Sequence, residues 1–225
     1  MRPEADRQIR ALWLVPALSA LVSLVACAVV YRAGTALYFG DAVSHLNIAR
    51  KIVDNKTPGW AQIGTVWLPL PHLLTAFFVW CDPLWRSGLA GAIPSMVGFI
   101  AGAFFLFRIA RRDLESAALA WTALALYLLN LNLLYLQATP MTEAQMLGAF
   151  LGAVYFTGDG RAVPAGLCLM AGTLIRYDGW FYLPFLTAYF WWRHGLRRAI
   201  VFGAIAGIGP LLWLIHNQLE LAEDV

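Results

Sequence analysis

Long stretches with almost no charge most restrict the folds open to this chain. Eight apolar runs, at 11–31, 66–81, 87–107, 114–136, 144–156, 163–175, 180–192 and 199–216, take up most of its 225 residues. A helix crossing a bilayer core about 30 Å thick needs about 20 apolar residues. Most of the runs reach that length, 144–156 and 163–175 only with their flanking small and aromatic residues. Backbone inside a membrane must satisfy its own hydrogen bonds, so such runs read as helices and the chain as an all-α, polytopic membrane protein. Composition agrees, with 60% hydrophobic and 13% charged residues, against about 45–50% and about 25% in soluble domains. The ten tryptophans and eight tyrosines suit anchoring at the membrane surface. A net charge of only +3, spread as short basic clusters between apolar runs, excludes a nucleic-acid surface. Cys27, Cys81 and Cys168 make neither a metal spacing nor a disulfide framework.

Two segments need a decision. "MRPEADRQIR" before an apolar run could open a signal peptide, and "LVAC" at 24–27 looks like a lipoprotein processing site. The run exceeds the signal-peptide core of about 7–15 residues, so it is expected to stay as the first membrane helix. Run 66–81 carries Pro69, Pro71 and His72 in its first half. If it does not cross and the N-terminus is cytoplasmic, ten of the sixteen basic residues fall inside and six outside; if it crosses, the split inverts to five and eleven. The positive-inside rule selects the first arrangement. It predicts seven crossings and one long external loop at 32–87, in which 66–81 is a re-entrant or surface-lying helix. Loops of that length are usually functional.

The same topology gathers acids on one face. In "GDAVSHLNIARKIVD", Ala42, Leu46, Ala49 and Val53 recur at helical spacing, with Asp41, Ser44 and His45 on other faces. This is an amphipathic helix lying along the membrane. Taken alone, Asp41 also reads as a helix N-cap and His45 as a surface residue or a satisfied polar contact. In "QATPMTEAQ", Thr139 and Pro140 read as N-cap and first helical residue, with Glu143 complementing the helix dipole. In "LIRYDGWFYLP", Arg176 and Asp178 read as a local ion pair beside the interfacial anchor Trp180. Jointly, carboxylates and an arginine beneath a long external loop suit sugar transfer from a lipid phosphate. The acceptor hydroxyl needs a carboxylate to take its proton, and the leaving phosphate needs a cation.

"GDAVSHLNIARKIVD", "TVWLPLPHLL", "TPMTEAQ" and "RYDGW", in this order and spacing, resemble the GT-C membrane glycosyltransferases, above all bacterial and archaeal relatives of dolichyl-phosphate-mannose mannosyltransferase type. The aminoarabinose lipid A transferases belong to the same superfamily. The resemblance covers most of residues 1–218 and implies a module of about seven helices (domain 1–217), whose first external loop carries membrane-surface helices. It implies Asp41 as catalytic base or metal ligand and Glu143 as the second acidic residue of the site. Arg176 as phosphate contact and Asp178 as its orienting partner are inferred from charge and side, and His45 and His72 join them as candidate substrate contacts. Mg or Mn on Asp41 and Glu143 is the one cofactor the resemblance suggests. The implied partners are a polyprenyl-phosphate-linked sugar, a lipid, glycan or protein acceptor, and membrane lipids. The implied place is the plasma (inner) membrane of a bacterium or archaeon, with an extracytoplasmic site. Relatives run to roughly twice this length, so residues 218–225 are expected to be a short polar tail left by truncation. The rivals are a transporter or flippase, whose acids would sit at mid-bilayer, and a non-catalytic scaffold subunit.

Overall fold

A computed structural model describes residues 2–223, leaving the side chains of 2–12, 221 and 223 undescribed. The described chain is 81% helical and contains no strand. In order it forms α1 (Arg2–Arg32), α2 (Gly40–Val53), a 3-10 turn (Trp60–Ile63), α3 (Pro69–Ala76), α4 (Asp82–Ser87) and α5 (Leu89–Asp113). It continues with α6 (Ala117–Leu128), α7 (Leu131–Gln137), α8 (Glu143–Gly158), α9 (Ala162–Ile175), α10 (Asp178–His194) and α11 (Leu196–Glu223).

Three of these helices, α1, α5 and α11, are long and apolar enough to cross a membrane, and the count is four if α6 and α7 form one bent span. This is the build of a membrane protein. Run 114–136 is not the single helix its hydropathy suggested: α6 and α7 meet at 61°. The cause is local. The Asn130 side chain accepts from the Leu133 backbone N–H at 3.0 Å and starts a new helix in mid-run. Run 66–81 yields only the eight residues of α3, with proline in its first turn. That length is about 12 Å, too short to cross. The tail expected from residue 218 is no separate segment, because α11 continues through it to Glu223.

The tightest packing joins α5 to α8. Gly98 and Gly102 on α5, and Gly148 and Gly152 on α8, are each spaced by four, the small-residue pattern that lets membrane helices approach closely. A side chain on Gly148 would run into the Gly98 backbone, and one on Gly98 would meet Gln145 Cα at 2.5 Å. Phe99, Phe107, Leu124 and Tyr127 fill the core beside this contact. A second core, with Leu169, Phe190 and Phe202, joins α9, α10 and α11. The helices run back and forth, so their turns collect at two ends. At one end lie loop 32–88, turn 138–142, Arg176 and the last turns of α11; at the other lie segments 108–116 and 159–161 and the α10–α11 turn.

Loop 32–88 is strapped onto the first of these ends from far away in sequence. Trp60 donates its indole N–H to His216 Nδ1 at 2.9 Å, and His216 Nε2 lies 2.9 Å from the Gly64 carbonyl. Tyr177 donates to the Val66 carbonyl at 3.3 Å and accepts from the Trp213 indole at 2.9 Å. Helix α2 buries Ala42, His45, Leu46 and Ala49 against the rest, as its apolar spacing requires.

Candidate functional site

Arg176 is the centre of the site. It follows α9, where the helix ends in extended backbone. Its Nε donates to Asp178 Oδ2 at 2.8 Å, and its Nη1 donates to Glu143 Oε1 at 2.9 Å and to Thr142 Oγ1 at 3.2 Å. Partial burial opposes the charge, but Asp178 and Glu143 outweigh it and hold the guanidinium above the ordinary arginine value. The pairing with Asp178 follows from two residues of separation. The pairing with Glu143, 33 residues away, is made by the fold.

Glu143 is the first residue of α8, and Thr142 is its N-cap position, with no side-chain cap bond. This corrects the start expected at Thr139–Pro140. The Thr139 hydroxyl instead donates back to the Leu136 carbonyl at 2.8 Å, which closes a turn before the helix begins. Glu143 keeps one oxygen, Oε2, buried and without a hydrogen-bond partner.

A second cluster sits under α2. His45 Nδ1 and His72 Nε2 share one hydrogen bond of 2.9 Å, one nitrogen donating and the other accepting. Both rings are buried, and Trp67 packs edge-on against His45 with centroids 4.7 Å apart. Burial pushes His45 down to about 4, with Asp41 pulling upward and Arg176 pushing further down. Burial also pushes His72 down to about 3, with His45 adding to the shift and the Leu68 backbone opposing it. Both imidazoles are therefore neutral at neutral pH. The electrostatic reach of Asp41 and Arg176 to the same ring ties the two clusters into one region.

Asp41 is not the N-cap of α2. Phe39 holds that position without a side-chain cap, and Asp41 lies exposed in the first turn. The helix register, set by burial of Ala42 and Leu46, fixes this. Asp41 and Glu143 thus differ as candidate cation ligands: one carboxylate is exposed, the other already bonded to a guanidinium. Among the described residues no three His, Cys, Asp or Glu side chains come together as a metal site.

Beside Arg176 opens a cavity of about 410 Å³. It is lined by the polar side chains of Asn130, Asn132, Glu143, Arg176 and Asp178 and by apolar ones such as Leu133, Met146 and Phe150. Thr142, Trp67, Asn130 and Asn132 were not singled out from the sequence. Asn130 had a readable signal, a polar cap residue inside an apolar run, whereas Trp67 and Thr142 had none. Comparison of the chain with protein-family models, with curated proteins and with solved structures finds no match.

Proposed function

We propose that the chain is a membrane glycosyltransferase of GT-C type, moving a sugar from a polyprenyl-phosphate donor to a lipid, glycan or protein acceptor on the extracytoplasmic face of the plasma membrane. The observation that carries this reading is the cavity beside Arg176, lined both by charged and amide side chains and by apolar side chains of α7, α8 and α10. A lipid phosphate combines the same two kinds of group. Arg176 is already neutralised by two carboxylates, so a phosphate must replace one of them. Asp178, with 54% of its side chain exposed against 31% for Glu143, is the one it displaces. The exchange keeps the guanidinium doubly bonded, now to a leaving group whose charge grows as the bond breaks. In the transfer, the acceptor hydroxyl oxygen bonds to the anomeric carbon while the bond from that carbon to the phosphate oxygen breaks. The phosphate leaves with the bonding electrons, and Asp41 takes the hydroxyl proton. His45 and His72, neutral and bonded to each other, take no part in the proton transfer.

This reading includes seven crossings: α1, α5, the α6–α7 pair, α8, α9, α10 and α11. Helices α8, α9 and α10, of 16, 14 and 17 residues, are about 21–26 Å long at 1.5 Å per residue. Turn residues and local bilayer thinning make up the difference from a core of about 30 Å. Support comes from the alternation of their turns between the two ends. Reporter fusions after Arg86 and after Arg112 are expected to report outside and inside respectively, and the opposite order would overturn the topology. The activity test incubates membranes holding the full chain with radiolabelled polyprenyl-phosphate sugars. Transfer of label to a lipid, glycan or protein fraction is expected; no transfer from any donor would overturn the reading.

A further inference from the structure

The end of the bundle remote from this site is rich in arginine and poor in acid. Helix α5 brings Arg108, Arg111 and Arg112 to it, the α8–α9 turn brings Arg161, and the α10–α11 turn brings Arg193, Arg197 and Arg198. Side-chain contacts hold these turns together. Arg108 Nη2 donates to the Tyr155 hydroxyl at 2.7 Å, and Arg112 Nη1 donates to the Tyr155 carbonyl at 2.9 Å. His194 Nε2 lies 2.8 Å from the Thr157 carbonyl. Gly160, at φ +68°, has no side chain to spare: a Cβ there would sit 3.0 Å from both Arg198 Nη1 and His194 Nδ1. The cations of two turns are therefore neighbours in space.

The carboxylates nearby do not balance them. Of the three, Asp113 and Asp159 both bind Arg112, at 2.6 and 2.9 Å, and Glu115 pairs with no arginine. Among the described residues, no carboxylate lies within 4.0 Å of Arg108, Arg111, Arg161, Arg193, Arg197 or Arg198. Directly beside these arginines the surface turns apolar, with Trp191, Trp192 and Leu196 exposed by 62%, 79% and 57%. A soluble anion would satisfy the guanidinium groups and leave the rings in water. An interfacial lipid meets both needs, with phosphate for the cations and glycerol and upper acyl chain for the rings.

We propose that this end binds the headgroups of anionic phospholipids. Arg161, Arg193, Arg197 and Arg198 contact the phosphates, and Trp191 and Trp192 lie at the glycerol level. The proposal does not depend on the transferase reading, because it concerns the opposite end and no reaction.

The test uses the full chain in nanodiscs of phosphatidylcholine mixed with phosphatidylglycerol of matched acyl chains, with retained lipid counted by native mass spectrometry. Enrichment of phosphatidylglycerol on the protein is expected, and equal retention of both lipids would overturn the proposal. A juxtamembrane arginine contributes about a five-fold preference for anionic lipid. The combined variant Arg193→Gln, Arg197→Gln, Arg198→Gln is therefore expected to lose at least about ten-fold of the enrichment. Lysine at the same three positions is expected to keep most of it. Enrichment undiminished in the glutamine variant would overturn the assignment to this turn. So would an equal loss in Arg32→Gln, Lys51→Gln, Lys56→Gln at the opposite end. If the glutamine variant does not fold, a salt titration of the parent decides: enrichment that survives high salt is not electrostatic and overturns the proposal. Excess glycerol phosphate is expected to leave the bound lipid in place, and its displacement would identify a soluble-anion site instead.

Discussion

At the end of the bundle carrying α2 and α3, Arg176 meets Glu143 and Asp178, and Arg50 meets Asp54 and Asp82. At the opposite end, six of seven arginines meet no carboxylate among the described residues. The same residue type is used in two ways. A guanidinium held between two carboxylates is oriented in advance and can trade one partner for a ligand. A guanidinium beside exposed tryptophans is left for whatever anion the surroundings supply. Charge count alone does not distinguish these uses; the position of the acids does.

The sharpest test of this contrast is Asp41→Asn. If Asp41 is the proton acceptor, turnover falls by about 10²–10⁴-fold. Stability changes by less than about 1 kcal/mol, because the substitution costs only a first-turn dipole interaction. Transfer kinetics together with thermal unfolding in detergent check both halves; unchanged turnover removes Asp41 from the mechanism.

Next in size is a matched pair at the two ends. Arg176→Ala leaves Glu143 and Asp178 facing each other without a cation, and Glu143 Oε2 is already buried and unpaired. A loss of about 1–3 kcal/mol is expected, reduced from the fully buried case because Glu143 is 31% and Asp178 54% exposed. Arg112→Ala, at the other end, removes the pairs with Asp113 and Asp159 and the bond to the Tyr155 carbonyl, but it strands no buried unpaired carboxylate oxygen and is expected to cost about 1 kcal/mol. Equal shifts in the unfolding midpoint would erase the distinction drawn between the two ends.

A pH series separates the ends again. His45 and His72 have pKa values of about 4 and about 3 in the fold, against about 6.5 unfolded. The unfolded chain therefore binds more protons between these limits, and stability is full above about pH 6.5 and falls as pH drops toward 4. The slope is about 1.4 kcal/mol per pH unit for each histidine. A proton on both rings would also set two N–H groups against each other across the 2.9 Å contact. Unfolding midpoints measured from pH 7 to pH 4 should show the fall, and His45→Asn with His72→Asn should flatten it. The smallest expected effect is that of Trp60→Phe, which removes the indole donor to His216. A loss of about 0.5 kcal/mol is expected, with faster proteolysis of residues 54–66 and little change in α5 or α8.

Sequence alone determined the helical, membrane-embedded character of the chain, because hydropathy over twenty residues is a local property and backbone in lipid has few alternatives. The charge split also argued that 66–81 makes no full span, and the helix formed there has only eight residues. The Arg176–Asp178 pair was legible too: two residues of separation leave the side chains little choice. Only the tertiary structure decided the rest. Glu143 reaches Arg176 because α8 packs directly on α9, Met146 against Gly172 and Gly152 against Cys168. His45 finds His72 across 27 residues, and Trp60 finds His216 across 156. The start of α8 at Glu143, not after Thr139, was settled by which polar groups found partners. Periodicity shows which face of a helix is buried, but not which helix covers it or at what height, and those two quantities place every charge in the site.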